Sequence, residues 1–300
     1  MAEALPIRRS GQGMAWATLV AVGLGWGGAQ LLTKISVGTG HDAISLTFWQ
    51  AMIGTLLFTL AQLATGRPLP LSRRHLVFYA VCGVLGTTLP HTLSYISIRH
   101  LSVGVQSLVL ATVPMMTLCL ALLLREERFE MRRALGLGLG LFAMLAIALP
   151  DASLPAGTDA AWILLPVIVS LAYAGENVYI ARYKPAGLNA LGVMCGLSWA
   201  ALLMLAPAAA MVGPLVPPTL GVSEAALAGV AVLHVLSYFG FVWLIGRAGS
   251  VFAAQVAYVV TASGIGWGML VLDERHSLWI WAALALVFGG LALVTPRERD

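Results

Sequence analysis

Long apolar stretches separated by short charged breaks dominate the chain, and their lengths set its architecture. Charge-free runs cover 10–33, 43–66, 75–98, 100–124, 134–150, 160–175, 185–223, 225–246, 248–272 and 276–296. A helix needs roughly 20 predominantly apolar residues to cross the hydrocarbon core of a bilayer. The runs therefore predict ten helices, near 13–37, 43–65, 75–98, 101–124, 132–149, 160–183, 187–211, 224–246, 250–272 and 277–295. Only Glu176 interrupts the sixth. The run 185–223 is longer than one span, but Gly213, Pro214, Pro217 and Pro218 break any helix in its second half, leaving one span and a loop. The short fifth span has Arg132 and Arg133 to snorkel at its start and Pro150 with Asp151 to stop it.

Composition agrees with a multispanning membrane protein. Of 300 residues only 17 are Lys or Arg and 13 Asp or Glu, whereas hydrophobic residues make up 59%. Soluble domains carry about one charged residue in four, so an ordinary soluble enzyme is excluded. The net charge of +4 comes without a basic cluster interleaved with aromatics, which sets nucleic acid aside as a partner. The charge excess reads instead as orientation signal. With the N-terminus inside, Lys34, Arg99 and Arg275 fall outside and the other 14 of the 17 Lys and Arg fall inside. By the positive-inside rule both termini are expected in the cytoplasm and the protein in the plasma membrane, the inner membrane of a bacterium. The run following Arg8 and Arg9 is too long for a signal peptide and is read as a retained first span. Cys82, Cys119 and Cys195 are odd in number and lack CxxC spacing, so neither a disulfide framework nor a metal site is expected; they are read as small packed residues.

The chain also repeats itself. A shift of 148 residues puts Arg99 on Arg247, Ser102 on Ser250, Glu126 on Glu274 and Ala134 on Ala282; one residue less puts Gly28 on Gly175. Two repeats are expected, 1–150 and 151–300, each of five helices. Five is odd, so the second copy enters the membrane from the opposite side. Inverted repeats of this kind build secondary transporters, in which two halves that exchange conformations yield inward-open and outward-open states.

The stretch LSVGVQSLVLATVPMMTLCLALLLREE, Leu101 to Glu127, and its counterpart GSVFAAQVAYVVTASGIGWGMLVLDER, Gly249 to Arg275, share a small-residue start, an apolar exit and a closing Glu. In this the chain resembles the drug/metabolite transporter superfamily, in its ten-helix branch with two EamA-type repeats. The second copy departs from the first in having Ala262 where the first has Pro114. The resemblance implies an all-α membrane protein of two inverted five-helix repeats, with a central cavity lined chiefly by spans 1, 3, 4, 6, 8 and 9. It also implies export of amino acids, aromatic ones among them, or of related metabolites.

Polar residues inside spans are costly and mark pathways or helix partners. Glu176 is the one carboxylate well inside a span. It reads equally as a proton-coupling or substrate-amine group and as a tie between helices. His91 follows the helix breaker Pro90 and suits a cavity wall, whereas His234 reads as a bond to a neighbouring helix. Gln106 and Gln255 occupy nearly equivalent places in the two repeats and form a candidate pair around a zwitterion. Trp26, Tyr95, Tyr173 and Tyr258 are candidate aromatic lining. Trp16, Trp162, Trp279 and Trp281, near span ends, read as interface anchors. Gly23, Gly25 and Gly28 match GxGxxG without a preceding strand and, with Gly136/Gly140, Gly192/Gly196 and Gly264/Gly268, read as close helix contacts.

An enzyme would need a metal motif or a nucleophile with a base, and neither is present. No cofactor is expected. The reading is a transporter of a small solute in the lipid bilayer, working by alternating access with protons as the candidate coupling ion. A passive channel, or a carrier of other metabolites or drugs, is the alternative. The scarcity of Lys and Arg in span interiors disfavours phosphorylated substrates.

Overall fold

Each apolar run forms a helix where the chain is described, and the irregularities fall at prolines. The structure is a computed structural model describing residues 9–125, 130–148, 159–212, 221–248, 253 and 255–294. The helices are α1 (Arg9–Ser36), α2 (Ala43–Ala64), α3 (Arg73–Gly83), α4 (Leu89–Ser97), α5 (Val103–Leu110), α6 (Val113–Leu123), α7 (Met131–Ala148), α8 (Leu164–Tyr183), α9 (Ala190–Val212), α10 (Val222–Ala248), α11 (Val256–Leu272) and α12 (Leu278–Val294). No strand occurs among the described residues. The expected loop residues Gly213, Pro214, Pro217 and Pro218, and Glu126, Pro150 and Ser250, lie outside the described residues.

Among the described residues seven continuous helical stretches are long and apolar enough to cross a membrane: Gly13–Ser36, Ala43–Ala64, Arg73–Ser97, Val103–Leu123, Ala160–Tyr183, Ala190–Val212 and Val222–Ala248. Where three further spans were expected stand α7, of 18 residues, and α11 and α12, of 17 each. Length and composition together mark seven spans among the described residues.

Two of the long stretches are interrupted for a covalent reason. Pro90 lacks an N–H and cannot donate to the carbonyl four residues back, that of Gly86. There the chain widens into a π-helical turn, Val84–Thr88, that joins α3 to α4. Pro114 likewise cannot donate to Leu110, and the helix breaks at Ala111 and Thr112 between α5 and α6. Pro166 sits at the start of α8, after the 3-10 turn Ala160–Ile163, where a missing N–H costs little. Pro207 lies inside α9.

The helices pair across the two halves. α1 packs along α10 and α11, while α8 packs on α4 and α6. α2 pairs with α9, and α7 with α12; α10 on α2 is answered by α3 on α9. Every one of these contacts has a counterpart with the halves exchanged. Small residues permit the closest approaches: a Cβ on Gly83 of α3 would sit 2.9 Å from the Leu197 carbonyl oxygen of α9. Ala143 and Ile147 of α7 bury against Ile280, Ala283 and Val287 of α12 and against Leu101, Val105 and Leu108 around α5. Leu63, Leu123, Leu203 and Leu270 are exposed, as side chains facing lipid are. Cys82 and Cys195 are buried, but Cys119 is exposed on α6, so only two of the three cysteines pack as expected.

Candidate functional site

A cavity of about 830 Å³ lies between the halves. Its wall draws on α1, the π-helical turn, α4, α5, α6, α8, α10 and α11, the helices of the six expected spans. It also draws on α2, through Gln50, Ala51, Gly54 and Phe58, and on α9, through Val193, Met194, Leu197 and Ser198, which the expected list lacked. α7 and α12 contribute only Arg133 and Leu291. The proline breaks explain part of the lining: Gly86, Thr87 and His91 flank one break, and Leu110, Ala111, Val113 and Pro114 the other.

Of the eight residues singled out from the sequence, Trp26, His91, Tyr173 and Glu176 border the cavity. The other four do not. Tyr95 is buried and donates its hydroxyl proton to Gln50 Oε1 over 2.8 Å. Gln106 is fully buried, accepting from Ser97 Oγ over 2.7 Å and donating to Gln30 Oε1 over 3.4 Å. Gln255 stands just before α11 with no capping bond, and the Tyr258 ring meets Phe288 edge-on at 5.0 Å. Gln106 and Gln255 thus do not face each other across the pathway. Gln30, Gln50, His234 and Tyr238 do border it. Their only signal in the sequence was that each is a polar or aromatic residue within a span.

Glu176 of α8 lies over Gly86; any Cβ there would strike the carboxylate. It has no hydrogen-bond or ion-pair partner among the described residues. Its neighbour Asn177 donates to Thr117 of α6 over 3.3 Å. His91 and His234 meet edge to face at 5.5 Å, and the Trp26 ring is 6.2 Å from His234. His234 therefore belongs to the cavity wall, and among the described residues it makes no hydrogen bond to a neighbouring helix. Two cations, Arg133 and Lys184, border the cavity where α7 begins and after α8 ends.

At the opposite helix ends, polar contacts gather on the turn between α4 and α5. Lys34 Nζ, at the end of α1, donates to the carbonyls of Ile98 (2.5 Å) and Leu101 (2.9 Å). The Glu274 carboxylate accepts from the N–H groups of Val103 (2.7 Å) and Gly104 (3.2 Å) at the start of α5, where a helix has unpaired donors. Asp273 makes this reach possible: its left-handed backbone, φ 52°, ends α11 and turns the chain back. His276 Nε2 lies 3.7 Å from Glu274, and burial holds its imidazole below the ordinary histidine value against the opposing pull of that carboxylate. The Trp162 ring stacks on His100 at 3.6 Å, so this tryptophan clamps the same turn and is more than an interface anchor. Among the described residues no three His, Cys, Asp or Glu gather as a metal site.

Residues 12–149 match the EamA-like transporter family. Through this segment the chain is similar to that family. A solved crystal structure 18% identical to this chain superposes over 94% of it and 96% of its own length, with a TM-score of 0.62, and so shares its fold. No curated protein matches the chain. With helices of membrane-crossing length, the chain is an integral membrane protein whose first half is similar to a family of transporters.

Proposed function

We propose that the protein exports small amphiphilic metabolites, amino acids with aromatic ones among them, by alternating access. Its halves, 1–150 and 151–300, act as inverted repeats of five spans each, with both termini cytoplasmic. The observation that carries this reading is a cavity lined by helices of both halves, bordered by Arg133 and Lys184, with Lys34 and Glu274 tying the turn between α4 and α5 at the opposite helix ends. The exchange-related helix pairings support a device whose halves swap roles. An unpaired carboxylate on the wall suits a substrate ammonium or a coupling proton.

Purified protein in liposomes loaded with unlabelled amino acid is expected to accumulate the radiolabelled form transiently, and a pH gradient is expected to change the rate. Alternating access produces such counterflow, whereas a passive channel equilibrates the label without overshoot. Absence of overshoot for every amino acid tested would remove the reading. Orientation is checked separately: an impermeant thiol reagent on intact cells should label a cysteine introduced at Ala156 and spare one at Pro70. The reverse labelling would invert the topology.

A further inference from the structure

Two glutamines on the cavity wall are held from behind. Gln50 of α2 has its Oε1 taken by the Tyr95 hydroxyl, and Gln30 of α1 has its Oε1 taken by Gln106 Nε2. Gln106 is itself oriented, because Ser97 Oγ donates to its oxygen. Tyr95, Ser97 and Gln106 are each no more than 1% exposed. They touch no part of the cavity, yet they decide which way the two wall carboxamides face. A carboxamide has one acceptor oxygen and an NH2 with two donors. With the oxygens bonded behind the wall, the NH2 groups of Gln30 and Gln50 are left for the cavity, and no described residue accepts from either.

The same wall carries another unmatched donor. Trp26, one helical turn before Gln30 on α1, borders the cavity with its Nε1 buried and unpartnered. An indole nitrogen can only donate. Buried polar groups are nearly always paired in native proteins, so a group left open on a cavity wall points to a ligand atom that pairs with it. The first-half wall thus offers N–H groups in want of an acceptor. The second-half wall offers Glu176, the only carboxylate bordering the cavity among the described residues.

We propose that Gln30, Gln50 and Trp26 form a subsite for the carboxylate of a zwitterionic substrate whose ammonium pairs with Glu176, and that Tyr95, Ser97 and Gln106 are its positioning residues. Neutral donors fit a group that must be released again, since hydrogen bonds to an anion without a fixed counter-charge hold it less tightly than an Arg would. The aromatic rings of Phe58, Tyr173, Tyr238 and Phe241 around the same cavity suit an apolar or aromatic body between the two charged ends. This inference takes the transported class from the function proposed above, but it concerns binding and is tested by binding.

Three probes with one body separate the contributions: phenylalanine, phenethylamine, which lacks the carboxylate, and 3-phenylpropionate, which lacks the ammonium. Calorimetry on the full-length protein in detergent is expected to rank phenylalanine tightest and each truncated probe weaker by about tenfold or more. Gln50→Glu puts a negative charge in the subsite and should weaken phenylalanine about tenfold while phenethylamine holds or gains. Tyr95→Phe frees the Gln50 amide without adding charge. It should weaken phenylalanine and leave phenethylamine unchanged, a pattern that mere loss of packing does not produce. Phenethylamine binding wild type as tightly as phenylalanine, no binding by any probe, or equal weakening of all probes in Tyr95→Phe would overturn the subsite. Binding in the expected order without counterflow in liposomes would keep the subsite and remove the transport reading; counterflow without that order would do the opposite.

Discussion

Glu176→Gln is expected to cut transport of an amine-bearing substrate by about tenfold to a hundredfold with little change in folded yield. The carboxylate borders the cavity, lies over Gly86 and has no protein partner among the described residues. A charged acid at the centre of a span costs about 2.5–3.5 kcal/mol, so the fold gains nothing from its charge unless something else pairs with it. Gln keeps the shape and removes the charge. The loss to a substrate ammonium is then that of a charged hydrogen bond, about 1.5–3 kcal/mol, which is the stated fold-change. Proton coupling predicts in addition that the variant loses its dependence on an imposed pH gradient. Counterflow at wild-type rates across the mildly acidic to neutral range, at matched protein amounts, would take Glu176 out of the mechanism.

The second large effect is expected at the turn between α4 and α5. Glu274→Ala strands the Val103 and Gly104 N–H groups and removes the carboxylate that acts on Lys34. Losing a charged acceptor from such a site costs about 1.5–3 kcal/mol, enough to lower the thermal midpoint in detergent by several degrees. Because this bond joins the second half to the first, the variant should also leak solute where wild type shows only exchange. Wild-type stability together with tight exchange would show that the turn is held without Glu274. Acidification acts on the same end. His276 is held below its ordinary value in the fold, so the unfolded chain binds more protons as pH falls through the ordinary histidine range. Stability is therefore present above that range and is lost on acidification through it. A His276→Asn variant should flatten this slope.

Much of the scaffold was legible because a bilayer punishes charge wherever it is not at a helix end. The positions of Arg73, Arg133, Arg182 and Arg247 bracket helices whose observed bounds differ from expectation by a few residues. Proline chemistry was equally local, so the breaks near Pro90 and Pro114 follow from the residues alone. Glu176 and His91 stood out because ionisable groups in spans are rare. The glutamines were harder. All were visible as embedded polar residues, but Gln106 was read as wall and proves to stand behind it, while Gln30 and Gln50 form the wall.

The physical reason is that lipid and protein interior are equally apolar. A helix of a soluble protein shows its buried face as an apolar stripe, but a membrane helix is apolar all round and carries no such mark. The sequence by itself therefore determined which segments are helices, where they break, and which few polar groups lie within the membrane. Which of those groups meet was decided only by packing: α2 and α9 joining the cavity, Tyr95 and Gln106 turning the carboxamides of others, and Glu274 reaching back from α11 to the start of α5. Such pairings join residues dozens to more than a hundred positions apart, and no local periodicity encodes them.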